Sequence, residues 1–161
     1  FGDATVRDAR EVLSRWEEIK AAEKAAKGVS DAHLLDGVPR AMPSLSRAHK
    51  ISSKVSKVGF DWPSAQACLE KVREETDEIN EALASGASRD KLAEEVGDLF
   101  FATVSLARKL GIDADSAMRA ANDKFEERFR RLEDRLAAIG KRPADSDLAE
   151  MDAIWNQIKN D

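Results

Sequence analysis

Three observations predict an all-α fold for this chain of 161 residues. Apolar residues recur at helical spacing almost throughout, strand-like alternation is lacking, and glycine, proline and serine punctuate the ends of the periodic stretches. The predicted architecture is a helical bundle of about five to six helices, with a central antiparallel helix hairpin carrying the acidic motifs.

In chain order, a helix is expected over 6–27. Its stripe is Val6, Ala9, Leu13, Trp16 and Ile19, with Thr5 as cap and Gly28 suited to the left-handed residue after its end. The segment 28–42 reads as loop, with Asp36-Gly37 and Pro39. Pro43 fits the first turn of the next helix, which carries Leu45, Ala48, Ile51, Val55 and Val58 on one face and stops at Gly59. A further helix starts near Pro63, sends Ala65, Leu69, Val72, Thr76, Ile79 and Leu83 toward the core, and ends around Ser85-Gly86. Ser88 caps a helix over 89–110 with the stripe Leu92, Val96, Leu99, Thr103, Leu106 and Leu110, closed by Gly111. Gly97 inside it costs about 1 kcal/mol relative to alanine, which predicts a close helix approach there. A long helix over 115–138 buries Met118, Ala121, Phe125, Phe129, Leu132 and Leu136 before Gly140 and Pro143. Asp147 and Glu150 make a capping-box-like start to a last short helix whose apolar face is Leu148, Met151, Trp155 and Ile158.

Two stretches repeat one pattern. Val72-Arg73-Glu74-Glu75-Thr76-Asp77-Glu78-Ile79 and Leu92-Ala93-Glu94-Glu95-Val96-Gly97-Asp98-Leu99 both read apolar, any, Glu, Glu, any, any, acid, apolar. On a helix turning about 100° per residue, Glu75 lies about 60° and Glu78 about 120° from Val72, and Glu95 and Asp98 stand in the same relation to Leu92. Each helix thus borders its apolar stripe with an acid pair, and a hairpin through Ser85-Gly86-Ala87-Ser88 lets the pairs converge. Carboxylates about 6 Å apart repel by roughly 0.7 kcal/mol in water and by about 3 kcal/mol at an effective dielectric near 20, so a half-buried quartet needs a cation. Oxygen ligands without thiolate or imidazole favour Mg²⁺, with Mn²⁺ as substitute, and Mg²⁺ commonly shares its shell with substrate phosphates. The competing reading is two helices with acids on their solvent faces.

With 42% hydrophobic residues, the chain can bury one core and is most simply a single domain. Its net charge of −5, with basic residues interspersed among acids, argues against binding a nucleic acid polymer. Cys68, the single cysteine, falls on an apolar helix side and reads as a small buried hydrophobe in a reducing, cytoplasmic compartment. No apolar run is long enough for a membrane span. Phe1 at the start is expected to reflect processing, trimming or excision from a longer polypeptide.

In this order, Glu74-Glu75-x-x-Glu78 and Glu95-x-x-Asp98 resemble the EExxE and ExxD signature of the all-α nucleoside triphosphate pyrophosphohydrolases, and within them the MazG family. Gly59-Phe60-Asp61-Trp62, Glu95-Val96-Gly97-Asp98-Leu99-Phe100-Phe101-Ala102, Asn122-Asp123-Lys124-Phe125-Glu126-Glu127-Arg128-Phe129 and the tail 151–159 around Trp155 extend the likeness, which runs from roughly residue 36 to 159. The resemblance is to the carboxy-terminal, catalytically competent half of tandem members. It implies an amino-terminal helix and connector over 1–35, part of an interdomain linker, and a catalytic domain over 36–161. It also implies a homodimer that hydrolyses ribo- and deoxynucleoside triphosphates, with broad base specificity, to monophosphate and pyrophosphate in nucleotide-pool cleaning. The chemistry is in-line attack of water, with a divalent cation supplying charge neutralisation and water activation.

Carried onto this sequence, the family pattern makes Glu75, Glu78, Glu95 and Asp98 the metal ligands, the residues the helical geometry also selects. Glu74 and Glu94 face farther out, as water-orienting groups or as solvated acids. Lys124 and Arg128 would contact the triphosphate, or else form an exposed basic face pairing with neighbouring acids. Asn122 either offers its amide to sugar or phosphate or lies idle on the helix surface. Lys71 and Lys91, one turn before Glu75 and Glu95, either reach phosphate or only neutralise their neighbours. Trp155 is either core or a platform for the base. His33 and His49 fit no part of the acid motif, and neither has a glutamate three residues earlier, as a ferritin-like di-iron site requires. Two rivals stand beside the broad activity: a narrow-specificity enzyme for a deoxynucleoside triphosphate or phosphoribosyl-ATP, and a non-catalytic helical interaction module.

Overall fold

The computed structural model describes residues 33–160, so the helix expected over 6–27 lies outside the described residues. The chain separates into two units, 1–41 and 42–161. The described end of the first is a chain of turns, in which the amide of Asp36 donates to His33 O and that of Val38 to Leu35 O.

The second unit contains five α-helices and a 3-10 turn, with no strand among the described residues: α1 (Ser44–Ser56), α2 (Ala65–Ala84), α3 (Arg89–Lys109), α4 (Ala114–Ala138), the turn Pro143–Asp145, and α5 (Leu148–Asn160). Side-chain caps fix most starts. Ser64 accepts from Ala67 N, Ser88 from Lys91 N and Asp113 from Ser116 N, each satisfying an orphan amide of a first turn. At α1 the expectation shifts by one residue, since Pro43 has extended backbone and stands just before the first turn. Half of the last capping box forms: Asp147 accepts from Glu150 N at 2.8 Å, while the Glu150 carboxylate turns to Lys141 Nζ instead.

The most extensive helix packing is α2 against α3, which the connection 85–88 makes antiparallel; α1 lies on α3, and α4 pairs with α5. The buried positions of the α1, α2 and α3 group are mostly small: Ser52, Cys68, Ala82, Ala102, Val104 and Ser105. Small side chains let the helices approach closely, and the buried hydroxyls of Ser52 and Ser105 find partners. Ser52 and Ser105 hydroxyls lie 3.2 Å apart, and Arg108 Nε donates to Ser52 Oγ at 2.8 Å. Burial pushes the Cys68 thiol up, as suits an unreactive packing residue. The larger side chains gather elsewhere, around Leu132, Leu136 and Ile158 between α4 and α5, with Phe129, Met151, Ile154 and Trp155 against them.

Several stripe residues expected in the core are exposed: Val58, Leu83, Val96, Leu110, Met118, Phe125 and Leu148, together with Thr76, Thr103 and Ala121. Periodicity identifies the apolar face, but a hairpin seam covers only its middle, so residues at the stripe's edges and ends stay open to solvent. Thr76 and Thr103 turn their hydroxyls back to Val72 O and Leu99 O, each at 2.8 Å. Gly97 also departs from expectation. A Cβ added there meets nothing within 4 Å, so no close helix approach explains the glycine.

Candidate metal and nucleotide site

The register of the hairpin explains how two copies of one motif meet. Glu75 lies nine residues before Ala84, the last of α2, and Asp98 nine after Arg89, the first of α3; Glu78 and Glu95 each lie six from those ends. At about 1.5 Å of rise per residue, Glu75 stands level with Asp98, and Glu78 with Glu95. Carboxylate oxygens of Glu75, Glu95 and Asp98 accordingly come within 4.8 Å of one another. Glu75 is only 4% exposed and Glu95 only 6%, whereas Asp98 opens to solvent. Glu78 lies outside that trio but beside Glu75: the nearness of the Glu75 carboxyl, with which a protonated Glu78 can share a hydrogen bond, raises the Glu78 pKa above the usual range.

One oxygen decides whether a cation fits. Glu75 Oε1 is 2.7 Å from Lys71 Nζ, but Oε2 is buried with no hydrogen-bond partner. An unpaired buried carboxylate oxygen is costly, and here it belongs to a group whose neighbours are further carboxylates. A hard divalent cation satisfies both demands, so this cluster is suited to hold a metal.

Two lysines frame the acids. Lys71 Nζ reaches Glu74 Oε1 as well as Glu75 Oε1, both at 2.7 Å; Lys91 Nζ is 2.7 Å from Glu95 Oε1 and 3.5 Å from Glu94 Oε2. These contacts hold both ammonium groups above the ordinary lysine range, Lys71 chiefly through Glu74 and Glu75 and Lys91 chiefly through Glu95. Both lysines thus make contact with the neighbouring carboxylates. Glu74 and Glu94 are exposed, as their helical angle predicts.

The remaining sequence-predicted residues sit on the other hairpin. Asn122 and Lys124 are exposed on α4, and Arg128 is half-buried one turn beyond Lys124. The ion pairs to the buried carboxylates come from Lys71 and Lys91, with neither Lys124 nor Arg128 among them. Trp155 of α5 lines a cleft of about 330 Å³ with Phe125, Phe129, Leu132, Leu148, Met151 and Asp152. Its ring centroid lies 5.1 Å from that of Phe125, in tilted contact. The tryptophan is therefore part core and part cleft wall.

One supporting feature escaped sequence reasoning. Asp61, in the turn before α2, pairs with Arg108 and, at 2.7 Å, with Lys109 at the end of α3. The hairpin is closed by the loop 85–88 at one end, and this staple ties its open end. Burial raises the Asp61 pKa, but hydrogen bonds from Lys109 and Arg108 outweigh it and leave the carboxyl below its usual value. The only sequence signal was the acid in Gly59-Phe60-Asp61-Trp62, and a separation of 47 residues conceals its partner.

An all-helical domain whose antiparallel hairpin brings Glu75, Glu95 and Asp98 together is the arrangement that the resemblance to the all-α nucleoside triphosphate pyrophosphohydrolases implies. Residues 64–132, the stretch that carries both acidic motifs, match the MazG nucleotide pyrophosphohydrolase domain. It is 46% identical over 160 residues to a nucleoside triphosphate pyrophosphohydrolase of Escherichia coli K12, covering 99% of this chain and 60% of that protein. A nucleoside triphosphate pyrophosphohydrolase/pyrophosphatase MazG of Thermotoga maritima is 37% identical over 145 residues, 90% of this chain and 54% of its own length. The uncharacterized protein YabN of Bacillus subtilis is 40% identical over 159 residues, 99% of this chain and 32% of YabN. The chain thus spans about 60% of the length of the Escherichia coli relative. Among the described residues, no helix is long and apolar enough to cross a membrane.

Proposed function

We propose that this chain is a Mg²⁺-dependent nucleoside triphosphate pyrophosphohydrolase that releases monophosphate and pyrophosphate from ribo- and deoxynucleoside triphosphates and cleans the cytoplasmic nucleotide pool. The observation that carries the reading is the carboxylate cluster of Glu75, Glu95 and Asp98, together with the buried, unpartnered Oε2 of Glu75. Glu75, Glu78, Glu95 and Asp98 would hold the metal. When bound, Mg²⁺, or Mn²⁺ in its place, supplies charge neutralisation for the triphosphate and acidifies the attacking water. The protein's share is positioning: the hairpin seam fixes the carboxylates, Lys71 and Lys91 bring positive charge to their border, and Glu74 and Glu94 stand outside to orient water. Lys124, Arg128 and Asn122 would bind the phosphates and sugar, and Trp155 with Phe125 would offer stacking surface without a base-specific hydrogen-bond code.

In this reading the catalytic domain runs over 36–161, behind a connector over 1–35, and acts as a homodimer. Exposed Phe125, Met118 and Leu148 on the α4 and α5 hairpin support the dimer, since apolar side chains of this size are better covered. The test is release of monophosphate and pyrophosphate from a panel of ribo- and deoxynucleoside triphosphates, with Mg²⁺ and with chelator, for the chain and its Glu78→Ala variant. Broad, metal-dependent turnover that the variant lacks is expected. Turnover of one nucleotide alone would favour a narrow specificity, and none from a well-folded chain would favour an interaction module.

A further inference from the structure

Both buried carboxylates of the cluster already have a cation at hydrogen-bond distance, and it belongs to the protein. Lys71 stands four residues before Glu75 and Lys91 four before Glu95, and each places Nζ 2.7 Å from Oε1 of the buried acid. Each lysine also has a second acid at hand on the outside, Glu74 at 2.7 Å and Glu94 at 3.5 Å. Lys71 and Lys91 are 30% and 51% exposed, so their heads have room to move outward, whereas Glu75 and Glu95 do not. A lysine ammonium is a compact point charge on a flexible stem, able to change partner without moving its helix.

From this duplicated geometry we infer that Lys71 and Lys91 are built-in competitors for the metal site: each balances one buried carboxylate and must give it up, toward Glu74 or Glu94 or toward a triphosphate, when a divalent cation binds. The inference rests on the metal-site reading above and deepens it. Metal and triphosphate become coupled, because phosphate oxygens that draw the two lysines outward free the acids that hold the metal. The enzyme would then bind metal weakly alone and tightly with substrate. Glu74 and Glu94 gain a role as resting places for the displaced ammonium groups.

The experiment is a titration of the full 161-residue chain with Mn²⁺ in the absence of nucleotide, read by calorimetry and by the spectrum of free Mn²⁺, for wild type, Lys71→Met, Lys91→Met, Lys71→Arg and Glu75→Gln. A unit positive charge about 5 Å from a dication is repulsive even in water, so loss of either lysine is expected to tighten Mn²⁺ binding by at least about tenfold. Lys71→Arg, which keeps the charge, should return the affinity to within about threefold of wild type. A lysine that merely organised the site would give the opposite sign, because its loss would loosen the metal. Unchanged or weaker Mn²⁺ binding in both methionine variants, with binding intact in wild type and abolished in Glu75→Gln, overturns the competitor role and leaves the metal site standing. Mn²⁺ binding that is absent in wild type and in every variant, all folded by circular dichroism, overturns both; absence in wild type with appearance in the methionine variants supports the competitor role outright.

Discussion

The two acidic motifs share a spacing but not an environment. On α2, Lys71 grips Glu74 and Glu75 equally closely, and Glu78 is drawn against Glu75; on α3, Lys91 is more exposed, its contact with Glu94 stretches to 3.5 Å, and Asp98 opens to solvent. The shorter side chain of Asp98 reaches less far from its helix than Glu78, yet it is Asp98 that joins the trio with Glu75 and Glu95. A repeated motif in an antiparallel hairpin therefore yields two unequal halves: a tight, self-paired one and an open one that faces solvent.

Substitution of the acids in either half gives the largest expected effect and asks whether unequal surroundings still serve one site. Glu75→Gln and Glu95→Gln should each lower nucleotide hydrolysis by at least about a thousandfold, or about 4 kcal/mol of transition-state stabilisation. Asp98→Asn, on the open side, should lose a comparable amount while leaving the fold unaltered. Thermal unfolding with and without Mn²⁺ checks the same groups without chemistry: ion at a hundred times its Kd should stabilise wild type by about 2.7 kcal/mol and Glu75→Gln by nothing measurable. Only small, partial losses from all three substitutions would mean that these carboxylates do not hold the metal.

The staple at the hairpin's open end decides whether the two halves keep their register. Asp61→Asn leaves Arg108 and Lys109, both mostly buried, without their carboxylate, and is expected to cost about 2 to 4 kcal/mol in denaturant unfolding. Its pH signature is opposite to that of Glu78. Asp61 has a folded pKa below its unfolded value near 3.8, so its contribution is complete above that pH and lost as pH falls through the lower folded value. Glu78, with a folded pKa above its ordinary 4.5, is penalised at neutral pH, and the penalty is relieved as pH falls through that raised value. In chelator, Asp61→Asn should flatten the acid limb of the stability profile, whereas Glu78→Gln should remove the relief at milder acidity. A wild-type profile that neither variant alters would contradict both assignments.

The hairpin was legible in the sequence because most of what marks it is local. Apolar spacing, the Ser88 cap, and the acid spacing about Val72 and Leu92 all act within two helical turns, and their faces follow from helix geometry alone. Lys71 and Lys91 were legible as neighbours of the acids for the same reason, although spacing did not choose between phosphate and carboxylate as partner. What sequence did not disclose depends on distant chain. The Asp61 staple joins residues 47 apart, and the exposure of Phe125 and Leu148 reflects how much of each apolar face meets a partner, which periodicity does not encode. The bland and the functional readings of Trp155 both survive, since the same ring packs on the α4 and α5 core and lines the open cleft.

Gly97 gives the smallest effect and the sharpest contrast between the halves, because it stands where the α2 motif has Asp77. Helix interiors disfavour glycine, and at this position no neighbouring helix needs the space, since an added Cβ meets nothing within 4 Å. Gly97→Ala should therefore raise stability by about 0.5 to 1 kcal/mol in denaturant unfolding, through the lost conformational freedom of the unfolded chain. Gly97 lies between Glu95 and Asp98, on the half open to solvent. If the alanine variant is more stable and turns over nucleotide as before, the glycine is a local cost without a site function. If it is more stable but its KM for nucleotide rises with kcat kept, the missing side chain leaves room for substrate on the open half. Destabilisation by the alanine would instead show that the helix is covered at this point by a partner, and the inequality of the two halves would then belong to the assembly.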